Sequence, residues 1–116
     1  MLKVFYFFKR RCDISAEEFH RYWRDEHGPL FCGTDLARRY VVRYEQNHTA
    51  AANGVINGDD FDGVSIMWFR SVDDIQAYYA DPDFADVLIP DGGRFIDGPA
   101  TKRVVTEVEE RFIPAP

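Results

Sequence analysis

Twice along the chain an aromatic, strand-like segment ends on a basic residue and is followed by a serine with an acidic residue three places on. Phe7-Phe8-Lys9 precedes Ser15, Glu18, Phe19, Tyr22 and Trp23, and Trp68-Phe69-Arg70 precedes Ser71, Asp74, Ile75, Tyr78 and Tyr79, with the same spacing from the serine onward. A serine and a carboxylate so placed have the form of a capping box, in which each satisfies the other's orphan backbone donor at a helix start. The apolar positions beyond them fall on one helical face. Either the match is coincidence or the chain holds two copies of one strand-helix-strand unit. At 116 residues there is room for one domain, which we assign to residues 1–116.

The remaining segments complete the order. Leu2–Lys9 is apolar on both faces through its middle, as a buried strand is. A helix from Ser15 places Phe19, Tyr22 and Trp23 on one side, and Gly28-Pro29 is expected to end it. Leu30 to Arg39 reads as a loop with a short helical turn, Tyr40–His48 as a partly exposed strand, and Thr49–Asp60 as a long surface loop without periodicity. Gly63–Arg70 is a third strand, a second helix runs from Ser71 until Asp81-Pro82-Asp83, Phe84 to Ile89 adds a short turn, and a last strand leads from Val104 toward Phe112. The order β-α-β-β-α-β is that of an α+β, ferredoxin-like fold: a four-stranded antiparallel sheet with both helices on one face. Two helices cover only one face, yet strand one is apolar on both, and strand three carries Met67 and Phe69 opposite Val64, Ile66 and Trp68. A second copy of the sheet is the simplest cover, so a homodimer is expected.

Composition removes several partners. The net charge of −6 argues against nucleic acid, which needs a basic face. Cys12 and Cys32 lack the spacing of a disulfide framework or a zinc site and read as reduced. Val4–Phe8 is too short for a signal peptide and no stretch approaches the roughly 18 residues of a membrane span, so no membrane partner and a cytoplasmic location are expected. Asn53-Gly54, Asn57-Gly58 and Gly92-Gly93 lack the lysine and strand-helix setting of a phosphate loop, and no cofactor or metal is indicated. Haem on such an architecture would need one axial histidine, and Asp59-Asp60-Asp62 is an acidic loop of the kind that is ordinarily solvated.

Phe19-x-x-Tyr22-Trp23-x-x-x-His27-Gly28-Pro29-Leu30, with Tyr40, Asn47-His48, Asp62-Gly63 and Trp68-Phe69 further on, resembles the EthD-like family over nearly the whole chain. The resemblance implies a dimeric α+β barrel with a pocket in each subunit. Family members include a methylmuconolactone isomerase, fungal enzymes that decarboxylate or dehydrate aromatic polyketides, and proteins of ether-degradation operons. By the same resemblance His27 matches an active-site histidine of the lactone isomerase and Tyr40 a tyrosine of its pocket. Where that isomerase has a cysteine this chain has Met67, whose thioether is neither acid nor thiolate.

The three histidines are the natural candidates for proton transfer near neutrality. His20 and His27 are seven apart on one helix, about 10 Å by helical rise, too far to share one metal, and His20 is expected to be solvated. His27 alone reads as a cationic helix cap; with the resemblance it becomes the proposed acid-base residue, with Tyr40 orienting the substrate. If Tyr40 faces the pocket, strand alternation brings Val42, Tyr44, Gln46 and His48 with it. His48 is then either a second proton carrier or an exposed strand-end residue. Tyr6, Phe8, Trp23, Tyr44, Ser65, Met67 and Phe69 are the expected substrate-binding walls of a hollow between the open side of the sheet and its cover. So lined, the pocket suits a small hydrophobic or aromatic ligand. The leading expectation is a cofactor-independent lyase or isomerase acting on a small aromatic, polyketide-like or lactone compound. The alternative is a non-catalytic binding or accessory protein for such an intermediate, and cofactor-free oxygenation is a third course.

Overall fold

The computed structural model describes residues 1–50 and 61–114. Its elements run β1 (Leu2–Phe8), α1 (Ala16–Tyr22), a π-helical turn (Trp23–His27), α2 (Gly28–Cys32), α3 (Asp35–Tyr40), β2 (Val41–His48), β3 (Gly63–Phe69), α4 (Val72–Ala80), a second π-helical turn (Phe84–Leu88), α5 (Ile89–Gly92) and β4 (Lys102–Thr106). The strands form one antiparallel sheet in the order β2-β3-β1-β4, the ferredoxin-like arrangement. The loop expected over 49–60 lies, from residue 51 onward, outside the described residues. The last strand stops at Thr106, short of Phe112, which is 92% exposed. Cys12 and Cys32 are free and exposed, and among the described residues no helix is long and apolar enough to cross a membrane.

Both repeat serines cap their helices. Ser15 accepts from the Glu18 amide at 3.0 Å and Ser71 from the Asp74 amide at 3.1 Å. The Glu18 carboxylate does not return to the serine; it holds Arg21 through two bonds of 2.7 and 2.8 Å.

Gly28-Pro29 does not end the first helix, contrary to the expectation from sequence. Pro29 brings no amide for the carbonyl a turn behind it, and the helix answers by widening: the Gly28 amide bonds the Trp23 carbonyl five residues back. Pro29 then opens α2, where a missing donor costs little. The same device recurs in the second half, where the Ile89 amide bonds the Phe84 carbonyl and Pro90 comes next. The repeat therefore extends past the two helices to a π turn and a proline in each half.

Register divides the sheet into two faces. Val4, Tyr6 and Phe8 share the helix-covered face with Met67, Ser65 and Phe69, while Phe5, Phe7, Val64, Ile66, Trp68 and Val104 share the other. The alternation expected from Tyr40 fails at its start. Tyr40 closes α3, and a bulge between Val41 and Arg43 leaves Val42 out of the ladder and 40% exposed. Past the bulge, Tyr44, Gln46 and His48 lie opposite Met67, Ser65 and Gly63, on the covered face.

That face carries two buried clusters, one around Val4, Phe31, Leu36, Met67, Phe69, Tyr78 and Leu88, the other of Phe8, Phe19, Trp23 and Phe95. Trp23 is wholly buried and its ring lies against Gly63, where a Cβ would come within 2.5, 2.9 and 3.3 Å of three ring carbons. Gly63→Ala is therefore expected to lower stability by about 1–3 kcal/mol, measured as a fall in the urea midpoint with an unchanged denaturant slope.

Candidate functional site

A part-open cavity of about 390 Å³ lies between the sheet and its helices, in the space where the two buried clusters meet. It does not lie on the open side of the sheet, where the sequence pattern placed the hollow. Phe8, Phe31, Met67, Tyr78, Phe84 and Leu88 give it an apolar wall. The open face instead has Phe5, Ile66 and Trp68 standing on the side away from the helices.

His27 enters this wall as the last residue of the first π turn, a conformation that recurs at functional sites. Its Nδ1 lies 2.6 Å from Asp91 Oδ2, and Asp91 Oδ1 accepts a 2.5 Å bond from the Tyr22 hydroxyl. Both partners of the first bond are nearly out of solvent, with side-chain exposures of 12% for His27 and 7% for Asp91. The ring is further held between Phe31, parallel at 6.1 Å, and Phe95 at 5.0 Å. A carboxylate acceptor keeps the proton on Nδ1 and leaves the Nε2 lone pair as the free one. Burial pushes the His27 pKa below its ordinary value, while the bond to Asp91 opposes but does not cancel the shift. The ring is thus neutral at pH 7 and fixed in one tautomer, the form a general base requires.

The neighbouring phenols are acids held in their protonated form. Burial raises Tyr44 to about 12 and pushes Tyr6 and Tyr78 up further. Tyr44 accepts a 3.0 Å bond from Gln46 Nε2, which leaves its own proton available to donate. Ser65, also buried, adds a second hydroxyl to the cavity lining.

Of the residues singled out from sequence, the structure brings His27, Tyr6, Phe8, Tyr44, Ser65 and Met67 together around the cavity. Tyr40 is not among the lining residues; it packs against the core from α3 with the Arg39 guanidinium over its ring at 5.8 Å. Trp23 and Phe69, fully buried, form core behind the wall instead of lining it.

His48 also stands outside the cavity, on the sheet beyond Trp23, whose ring lies 4.4 Å from its own. Gln46 explains its state. Gln46 Nε2 donates to the Trp23 carbonyl at 2.8 Å, so its Oε1 is the acceptor for His48 Nε2 at 2.9 Å. His48 Nδ1 is then an acceptor, and His20 Nδ1 donates to it at 2.7 Å. The two outer histidines are spent on each other.

The residue that sequence reasoning missed is Asp91. The repeat gave no signal for it: with the prolines after the two π turns aligned, His27-Gly28-Pro29-Leu30 corresponds to Leu88-Ile89-Pro90-Asp91, and Asp91 falls opposite Leu30. Of the acidic loop only Asp62 is among the described residues. Asp62 accepts from the Arg10 amide at 2.9 Å, Asp59 and Asp60 lie outside the described residues, and among the described residues no three ligating side chains converge on a metal position.

A family model described as the EthD domain matches residues 11–99. An EthD family protein from Bacillus halodurans has the same fold at a TM-score of 0.66 and 14% identity, over 94% of this chain and 99% of that one. A dimeric protein of unknown function and ferredoxin-like fold from Bacteroides fragilis matches at 0.64 with 16% identity, over 92% and 95%. SnoaB, a cofactor-independent oxygenase from Streptomyces nogalater, matches at 0.64 with 13% identity, over 96% and 95%. No curated protein matches the chain.

The buried imidazole has a consequence for stability. His20, His27 and His48 are all shifted below 6.5, chiefly by burial, so below that value the unfolded chain takes up protons that the folded chain refuses. Stability is full above the ordinary histidine pKa and is lost as pH falls through it. Urea midpoints taken between about pH 7.5 and 5 should decline on the acid side, and His27→Gln should flatten the decline.

Proposed function

Since this chain belongs to the EthD family, whose model covers residues 11–99, we propose that it is a cofactor-independent enzyme that moves a proton on a small hydrophobic or aromatic compound, with His27 as the acid-base residue. The observation that carries this reading is the His27–Asp91 pair: a neutral imidazole whose tautomer is set by a buried carboxylate, in the wall of a cavity otherwise lined mainly by apolar side chains. A base so placed can take a proton from a carbon made acidic by a neighbouring carbonyl, while Tyr44 and Ser65 supply hydrogen-bond donors for the enolate oxygen that results. Return of the proton to another carbon gives isomerisation; departure of a β-hydroxyl as water, protonated by the imidazolium, gives dehydration; and a β-keto acid that gives its carboxyl proton to the imidazole and loses carbon dioxide takes that proton back on carbon, which is decarboxylation. A lyase or isomerase acting on an aromatic, polyketide-like or lactone substrate fits that chemistry. SnoaB, of the same fold, is described as an oxygenase without cofactor, and carbanion formation at such a base would also open that route. Met67 brings no second acid to the cavity, so a thiol-assisted isomerisation is not part of the proposal.

A binding or accessory role rests on the same apolar wall and differs in one respect: it makes no use of the Nε2 lone pair. With a substrate found by screening aromatic acids, lactones and polyketide-like phenols, His27→Ala should lower kcat by about 10²–10⁴. Asp91→Asn should lower kcat with little change in KM. Because Asp91 holds the His27 pKa up, the acid limb of the rate profile should also move to lower pH in that variant. Turnover indifferent to His27 would remove the catalytic reading and leave the binding one.

The homodimer belongs to the same proposal. Phe5, Phe7, Val64, Ile66, Trp68 and Val104 form an apolar sheet face away from the helices, of the kind an isologous partner covers, and the Bacteroides fragilis relative is described as dimeric. Ile66→Glu is expected to convert the dimer to monomer in sedimentation equilibrium.

A further inference from the structure

The chain is acidic overall, with 20 Asp and Glu against 14 Lys and Arg, yet among the described residues no carboxylate lines the cavity. The residues around it that can carry charge near neutrality are His27, Lys102 and Arg103. Lys102 lies opposite Phe7 and so alternates onto the far face of β4, which leaves Arg103 as the cationic side chain on the cavity's side of the sheet.

Arg103 is placed by its surroundings. It pairs across the sheet with Tyr6, and its guanidinium lies 4.8 Å from the centre of the Tyr79 ring. The Tyr6 and Tyr79 hydroxyls are bonded to each other beside it. The Tyr79 and Tyr6 hydroxyls engage part of the guanidinium's donor edge, and with five N–H groups in its fork it retains others for a ligand. Among the described residues no carboxylate pairs with Arg103. His27 belongs to the helical layer and Arg103 to the sheet, so the two stand on different walls of one hollow.

We propose that Arg103, with Tyr6 and Tyr79, forms an anion subsite that selects ligands carrying a carboxylate, held at the sheet wall while the hydrophobic ring of the ligand occupies the apolar cavity. The inference deepens the reading of this cavity as the ligand site and rests on it. The guanidinium matches a carboxylate with two parallel donors, and the Tyr6 hydroxyl lining the same wall can add a third. Such a ligand would enter as an aromatic acid in one orientation, acid group toward β4 and ring toward the helices. Arg103 here fixes which compounds bind and how they lie; it takes no part in proton transfer.

Equilibrium binding tests this without any turnover. The probes are 2-naphthoate and its neutral isostere 2-naphthamide, measured by calorimetry against the full chain at pH 7.5. Wild-type protein should bind the acid about tenfold or more tightly than the amide, a charge-assisted bond being worth that ratio. Arg103→Gln should bring the acid down to the amide's level and leave the amide unchanged, and Arg103→Lys should keep part of the preference. His27→Ala should leave the preference in place, which separates this result from the catalytic reading. Equal binding of the two probes, binding of neither, or a preference that survives Arg103→Gln or disappears with His27→Ala would overturn the proposal. The loss of turnover in His27→Ala stands or falls independently.

Discussion

The bond from His27 Nδ1 to Asp91 Oδ2 ties the two halves of the chain together at the wall of the cavity. Neither half makes the arrangement alone: the first supplies the imidazole and the Tyr22 hydroxyl, the second the carboxylate that both of them bond. A carboxylate this far from solvent needs partners of that kind, because an unpaired buried charge costs several kcal/mol. The same pair fixes which ring nitrogen carries the proton. One carboxylate therefore both joins the halves and orients the ring, and the imidazole stands in the cavity wall because the two halves are docked in this one way.

Docking is set by the segment beyond each main helix. In the first half α1 runs directly into its π turn, in the second α4 is broken at the extended Asp81 before its own, and each π turn leads into a short helix with proline near its start. The turn takes up the backbone bond that proline cannot make, and it offsets the residues beyond it from the face that α1 or α4 presents. Gln46 secures the first turn from the sheet by donating to the Trp23 carbonyl, with its amide so close that a Cβ on Gly28 would lie 3.0 Å from it. Glycine at 28 thus serves a close approach between turn and strand.

The two faces of the sheet carry different work. On the helix side, large rings leave room between two clusters, since Phe8 and Phe31 belong to different groups and both border the hollow. On the other side, Phe5, Ile66 and Trp68 are set side by side by the register. One β-strand with aromatic residues on both faces serves cavity and cover at once. The charge pattern respects the same division, an acidic chain keeping its described carboxylates out of the cavity lining and leaving His27 and Arg103 beside it.

The sequence by itself determined the order of elements, both helix starts and the α+β class, because capping and strand alternation are local and a few residues suffice to express them. It also pointed to His27, and to Tyr6, Phe8, Tyr44, Ser65 and Met67 as neighbours, through periodicity and the family's motif. What tertiary structure decided was everything that depends on a partner distant in the chain. Gly28-Pro29 reads as a stop until a π turn absorbs it, and Tyr40 leaves the strand pattern because a bulge shifts the parity of β2. His48 lost its freedom to a glutamine two residues away and a histidine on another element. Asp91, 64 positions from the ring it orients, carries no local mark of its role; only the packing of one half on the other brings that carboxylate to the imidazole.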